Sequence, residues 1–306
     1  MTSNKPLRIK TITEGHRIMG LPKPEHPLIS VVEYAALQAP STDATDNGVV
    51  FDFYYISLKR GFSNKFYYGQ QQYDFDDGML YFVAPNQVIR GAGPNPEDDL
   101  SGWVLLVHPD LLWGTTLAST IKKYEYFDYS VNEALFLSAR EENIVNGIIK
   151  NIETEYQSNI DKFSGDIIVS HLETLLNYSE RFYQRQFITR KRSNHQIIDR
   201  LEKLMADYFN SNALAAKGLP SVQYISSQLN ISPNYLRGLL NILTGKNTQQ
   251  YIHDKLIDKA KEKLSTTDLS VSEIAYELGF EHPQSFSKLF KTKTSVSPLE
   301  FRQSFN

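Results

Sequence analysis

The last 86 residues contain the same passage twice, and that repeat constrains the fold more than any other feature of the chain. SVQYISSQLNISPNYLRGLL begins at Ser221 and SVSEIAYELGFEHPQSFSKLF at Ser270. Val222, Ile225, Leu229 and Ile231 correspond to Val271, Ile274, Leu278 and Phe280 at an offset of 49. After one inserted residue the offset becomes 50, and Leu236, Leu239 and Leu240 correspond to Phe286, Leu289 and Phe290. Apolar residues three and four apart share one face of a helix. Each copy therefore reads as a short helix, a tight turn and a second helix.

The punctuation agrees. Ser221 and Ser270 suit the cap of the first helix, and Glu273 completes a capping box with Ser270. The turns carry Asn230 and Gly279, the residue types that most easily take a left-handed backbone. Pro233 and Pro283 open the second helices, with Ser232 and His282 just before them. A lone helix pair occurs in any helical bundle. Two copies with matched apolar spacing, turn chemistry and proline placement point to DNA recognition, because a helix fits the major groove and reads its donor and acceptor pattern. Thr248–Leu264, with Ile252, Leu256, Ala260 and Leu264 on one face, supplies a connector helix. At 1.5 Å per residue it is roughly 25 Å long, so one chain can present two reading helices to successive turns of groove.

Charge supports this only weakly. Residues 193–306 hold 13 Lys/Arg against 11 Asp/Glu, a net of +2, and the remainder holds 19 against 24, a net of −5. No apolar run approaches the ~18 residues of a membrane span, and the first ten residues lack the apolar core of a signal peptide. With no cysteine in the chain, disulfides and thiolate metal sites are excluded, and a cytoplasmic location is expected.

The first half is different. Residues 1–28 read as an extended arm, since Pro22, Pro24 and Pro27 oppose regular structure. Ile29–Leu37, Val49–Lys59, Lys65–Tyr68, Met79–Ala84 and Trp103–His108 are short, rich in Val, Ile, Phe and Tyr, and bounded by turn residues. They predict a small antiparallel sandwich or barrel. Ser138–Tyr156 and Phe163–Ile188 then read as helices. The second carries a stripe of Ile168, Leu172, Leu175, Leu176 and Phe182 that can face its own barrel or a second copy of the chain. The basic stretch Thr189–Asn194 reads as a linker, Gln196–Tyr208 as a helix, and Asn210–Pro220 as a loop.

The C-terminal 110 residues resemble the AraC/XylS family of bacterial transcription regulators. The second copy carries the most specific part: VSEIAYELGF, then SFSKLFK, then SPLEFR. The resemblance implies a DNA-binding domain of two helix-turn-helix units, preceded by an effector-binding or dimerisation domain that is often a cupin-like barrel. The chain departs from the family pattern at Gly238 and Asn241, where a basic residue is usual, at Leu256, where Arg is usual, and at Ser295, where Gly is usual. The first two departures remove cations from the first recognition helix, so the second is expected to contribute more affinity.

The exposed positions of the recognition helices are the candidate base contacts: Asn234, Arg237 and Asn241 in the first, and Gln284, Ser285, Ser287 and Lys288 in the second. Arg and Lys suit guanine, Asn and Gln suit adenine. Ser232, Lys246, Lys291 and Lys293 are candidate phosphate contacts. The competing reading of each is plain solvated surface.

A barrel can also be a metal enzyme. The seven histidines are scattered, and Asn86 and Gln87 stand where a metal-binding cupin would supply a ligand, so no metal, no cofactor and no enzymatic activity are expected. Asp74, Asp76 and Asp77 before Gly78 read as turn chemistry. Tyr54, Tyr55, Tyr67, Tyr68, Tyr73 and Tyr81 are candidates to line an effector pocket, with Arg90 for an anionic effector; a packed aromatic core is the alternative.

The expectation is an α+β chain in three parts: a cupin-like effector-binding domain over residues 1–130, a helical dimerisation or linker segment over 131–192, and a seven-helix DNA-binding domain over 193–306. Its expected partners are double-stranded promoter DNA, RNA polymerase, a small-molecule effector, and a second copy through 163–188, with no membrane. The alternatives are a metal enzyme fused to a DNA-binding tail and an adaptor that keeps the fold without binding DNA.

Overall fold

The computed structural model describes residues 6–37, 48–61, 67–68, 71–72, 78–89, 101–130, 133–158, 161–189 and 191–304. The chain divides into two compact bodies, Met1–Gln186 and Phe187–Asn306.

The first body begins with strand β1 (Leu7–Ile9) and helix α1 (Ile12–Ile18). The expected extended arm is thus structured over these residues. Pro22, Pro24 and Pro27 lie beyond α1, and the helix has its own start signal: Thr11 accepts a hydrogen bond from the Glu14 amide, while Glu14 accepts one from the Lys10 amide. His16 is buried and joins this arm to the sheet. Its Nδ1 donates to the Pro22 carbonyl at 2.6 Å, and its Nε2 shares a hydrogen bond of 2.9 Å with the Ser30 hydroxyl.

The strands that follow are β2 (Ile29–Glu33), β3 (Val49–Phe51), β4 (Tyr54–Arg60), β5 (Tyr67–Tyr68), β6 (Gln71–Gln72), β7 (Met79–Val83), β8 (Val88–Ile89), β9 (Ser101–Val107) and, after helix α2 (Thr116–Thr120), β10 (Leu135–Phe136). They form a five-stranded antiparallel sheet in the order β10-β7-β4-β9-β2, a three-stranded sheet in the order β1-β3-β8, and the pair β5-β6. Ile9, Val32, Phe51, Phe53, Val104 and Leu106 fill one core cluster contributed by both larger sheets. Among the described residues no closed barrel forms: β10 and β2 remain the two edges of the larger sheet.

The central strands explain why the barrel expectation was too simple. Every residue of β7 is buried, as are the last five of β9. A strand with one wet face alternates apolar and polar residues, whereas one covered on both faces is apolar throughout. The second face is covered by helical segments: Leu112, Leu117, Ile121 and Phe127 meet Ile56 and Val107, together with Leu172 and Leu176.

Leu172 and Leu176 belong to helix α4 (Ser164–Thr189), which follows helix α3 (Ala139–Gln157). Ser138 and Glu141 cap α3 reciprocally. Glu141 also receives both Nε and Nη2 of Arg185, which donates again to the Phe136 carbonyl, so the last turns of α4 are fixed to the start of α3. The apolar stripe of α4 is consumed here. Ile168, Leu172, Leu175, Leu176 and Phe182 are at most 5% exposed, so the stripe is core and not a face offered to a second copy. Burying such a side chain contributes about 1.5–3 kcal/mol.

The second body is helical: α5 (Lys191–Asn210), α6 (Ala213–Lys217), α7 (Val222–Leu229), α8 (Pro233–Thr244), α9 (Thr248–Thr266), α10 (Val271–Glu277), α11 (Pro283–Thr294) and α12 (Pro298–Gln303). Two boundaries differ from expectation. Helix α5 starts at Lys191 instead of Gln196, because a charged Lys/Arg stretch without Gly or Pro is as good a helix former as a linker. The expected loop 210–220 holds α6, stopped by Gly218 at φ 72°. Ile197, Leu201 and Met205 of α5, and Ile252, Leu256, Ala260 and Leu264 of α9, are buried as their spacing requires. No helix among the described residues is long and apolar enough to cross a membrane.

Candidate nucleic-acid interface

The sequence repeat is a structural repeat. Helix α7 is capped by Ser221 and α10 by the Ser270–Glu273 box. Asn230 ends the first short helix in the left-handed conformation, φ 57° and ψ 42°. Gly279 takes the corresponding position at φ 79°. The following residue then donates back five positions in both copies: Ile231 N to Ser226 O at 3.1 Å, and Phe280 N to Ala275 O at 3.0 Å. This six-to-one bond satisfies a carbonyl that the helix end would otherwise leave open. It also redirects the chain towards a second helix that opens on a proline in both copies, Pro233 and Pro283; Ser232 caps the first of these helices with its side chain, whereas His282, one residue further from its turn, makes no such bond.

The inner faces of these helices are core. Tyr235, Leu236, Leu239 and Leu240 of α8 are buried, as are Phe286 and Phe290 of α11. Tyr235 also meets the ring of Phe187 edge to face at 5.0 Å between centroids. The outer faces carry the predicted contacts. On α8, Asn234 and Arg237 are half-buried and Asn241 is exposed. On α11, Gln284, Ser285, Lys288 and Lys291 are exposed and Ser287 is half-buried. Ser232 is only 8% exposed, and its hydroxyl accepts from the Tyr235 amide at 3.1 Å, a capping role.

The four predicted phosphate contacts thus divide. Lys291 is exposed near Glu300, whose carboxyl is held below its ordinary range by bonds from Ser297 and by this lysine. Lys246 and Lys293 converge on one carboxylate, that of Asp254 on α9, at 2.7 and 2.9 Å. Partial desolvation opposes ionisation of Asp254, but the two lysines outweigh it and lower its pKa. Asp254 was not among the residues the sequence singled out; an acid on a helix face away from the buried stripe reads as solvated surface.

Two further cations cap helices. Arg302 donates to the carbonyls of Leu264 and Leu269, at 3.2 and 2.6 Å, and Arg200 to that of Leu229 at 3.2 Å. They secure the ends of α9 and α7, so counting them towards a basic surface overstates it. Among the described residues Lys288 has no ion-pair partner.

Among the described residues, the effector candidates Tyr54, Tyr55 and Tyr81 of the first body do not line one cavity together. Adjacent strand residues face opposite ways. Tyr54 packs on Phe127 at 5.2 Å, on the helix-covered face. Tyr55 points to the other face, where its hydroxyl lies 3.3 Å from those of Tyr34 and Tyr81. Tyr34 also bonds Ser57 at 2.6 Å, and the Lys59 ammonium stands 5.0–5.2 Å from the ring centres of Tyr81 and Tyr34. Burial raises the pKa of all three phenols and lowers that of Lys59. A separate cavity of about 540 Å³ is lined by Tyr81, Phe82, Gln87, Tyr126, Tyr129 and Tyr183, among others. The side chains of Tyr67 and Tyr68, and all of Tyr73, Asp74, Asp76, Asp77 and Arg90, lie outside the described residues. Among the described residues no three His, Asp or Glu side chains converge as a metal site.

Residues 225–304 match the family model described as a helix-turn-helix domain. The chain is 33% identical over 109 residues to the uncharacterized transcriptional regulatory protein YesN of Bacillus subtilis strain 168, covering 35% of this chain and 28% of that protein. It is 35% identical over 107 residues to the HTH-type transcriptional activator RhaS of Enterobacter sp. strain 638, covering 34% and 36%. The match thus spans about a third of each relative's length. Among solved structures, the C-terminal domain of the two-component response regulator yesN from Fusobacterium nucleatum matches with 26% identity over 34% of this chain and 95% of that one, with a TM-score of 0.30.

Proposed function

The C-terminal body carries an AraC-family helix-turn-helix domain, and from that premise we propose that the chain is a sequence-specific transcription regulator. One observation carries the proposal most: both helix pairs turn through the same six-to-one hydrogen bond, Ile231 to Ser226 and Phe280 to Ala275. The same turn in both copies supports the reading of each second helix as a recognition helix braced by the first, as reading two segments of one duplex requires. The exposed faces of α8 and α11 contribute the base contacts, with Asn234, Arg237 and Asn241 on the first and Gln284, Ser285, Ser287 and Lys288 on the second. Lys291 is the best placed of the phosphate contacts. Bound at a promoter, the protein recruits or blocks RNA polymerase.

The first body is the proposed sensor. The supporting observation is the cavity of about 540 Å³, within the ~300–1,000 Å³ usual for small-molecule sites. Its aromatic walls suit an organic effector.

The test is recovery of sequences from a pool of random duplexes by the purified full-length chain. Enrichment of one sequence family, bound tightly at low salt and progressively less tightly as salt rises, is the expected result. A chain that enriches nothing and shows no salt-sensitive binding to any duplex is not a DNA-binding regulator, and the adaptor reading replaces this one.

A further inference from the structure

An acid placed on a domain offered to a polyanion needs a reason, and Asp254 has a specific one in its two partners. Lys246 directly follows Gly245, the residue that ends α8, and so belongs to the first helix-turn-helix pair. Lys293 lies in the last turn of α11 and belongs to the second. Asp254 sits on α9, the helix that joins the pairs, and its two oxygens take one lysine each, Oδ2 from Lys246 at 2.7 Å and Oδ1 from Lys293 at 2.9 Å. The far ends of both recognition helices are therefore tied to one carboxylate of the connector.

Resting on the DNA-binding reading, we infer that Asp254 is a positioning residue that fixes the separation of the two recognition helices and so confines binding to one spacing between two half-sites. The other ties to α9 do not do this. Lys263 with Glu277 holds only the second pair, and Arg302 with the carbonyl of Leu264 holds only α12. Glu202 with Lys255, and Asn210 with Lys259, hold α5. Among these polar ties, the Asp254 clamp alone includes both pairs. It also has a cost for DNA binding, because each lysine it holds is less available to a phosphate. A carboxylate without a positioning role would only weaken binding, equally for every duplex, through its charge.

That contrast supplies the test. The full-length chain and its Asp254→Asn and Asp254→Glu variants are titrated with three kinds of duplex: the sequence recovered by the wild type from the random pool, the same sequence with one or two base pairs inserted between its halves, and an unrelated duplex. Each inserted base pair rotates one half-site against the other and is expected to cost the wild type about tenfold. In Asp254→Asn that penalty shrinks to about threefold, the difference that two partly exposed ion pairs supply, while binding to the unrelated duplex strengthens two- to threefold, roughly the gain from releasing two lysines to phosphates. Asp254→Glu, which keeps the carboxylate, retains the wild-type spacing penalty within about twofold. Unfolding midpoints measured alongside identify loss of folded protein, which moves all duplexes together. A spacing penalty in Asp254→Asn equal to that of the wild type overturns the inference, whether overall affinity rises or falls. If the wild type recovers no sequence from the pool, the DNA-binding reading falls and this inference falls with it.

Discussion

A methyl group on Gly279 would lie 2.4 Å from the carbonyl oxygen of Leu214. The turn of the second helix pair thus packs against the one-turn helix α6 with no room for a side chain, and Gly218 Cα stands 2.9 Å from the same point. Gly279 is also at φ 79°, so it meets two independent demands, a left-handed backbone and a close approach. Its counterpart Asn230 meets only the first.

The two positions should therefore respond differently to alanine. Asn230→Ala is expected to lose about 1 kcal/mol, the left-handed cost alone. Gly279→Ala adds a clash with backbone that cannot swing aside, and should lose about 2–4 kcal/mol. Urea unfolding of both variants checks the order; equal losses would mean that α6 yields to the new methyl.

Gly245 and Ser295 make a second pair, 50 positions apart, each ending a recognition helix in the left-handed region at φ 70° and 66°. Ser295→Gly is expected to stabilise the protein by roughly 0.5–1 kcal/mol, and Gly245→Ser, where a Cβ meets nothing within 4 Å, to destabilise it by a similar amount. The shift in thermal midpoint should change sign between them.

His16 holds the N-terminal arm by two bonds, one within the arm to Pro22 and one to Ser30 of the sheet. His16→Leu leaves the Pro22 carbonyl and the buried Ser30 hydroxyl without these partners, at a cost of about 2–4 kcal/mol. The variant should also expose the arm to limited proteolysis ahead of the second body; unchanged cleavage would show that the bonds do not hold it.

The Asp254 clamp predicts a pH dependence. Its folded pKa lies below the ordinary 3.8, through Lys246 and Lys293. The stability it contributes is therefore complete above pH 3.8 and is lost as pH falls through the lower folded value. The stability difference between wild type and Asp254→Asn should be constant at neutral pH and close only in that acid range. A difference that closed between pH 5 and 7 would point to another group.

Much of the second body was legible because its signals are local. Caps, prolines, turn residues and the three- and four-residue apolar spacing of Val222, Ile225 and Leu229, and of Leu236, Leu239 and Leu240, all act within one or two helical turns. The first body was less legible because its determinants act over distance. The unbroken apolar run Met79–Val83 is consistent with a strand covered on both faces, but it does not say what covers it, nor that the stripe of α4 belongs to the same core. Tyr54 and Tyr55 looked equivalent as aromatics, and only the strand's alternation separates them. Asp254 was invisible for the same reason: its partners lie 8 residues before and 39 after it.

The most direct test of DNA reading by the second pair compares Lys288→Ala with Lys291→Ala on the selected and the unrelated duplex across a salt series. Lys288 is assigned to a base, so its loss should weaken the selected duplex about tenfold and the unrelated one much less. Lys291 is assigned to a phosphate, so its loss should weaken both alike and reduce the salt slope by about 0.9. Wild-type selectivity in both variants, with an unchanged salt slope, would contradict the assignment of α11 to the DNA.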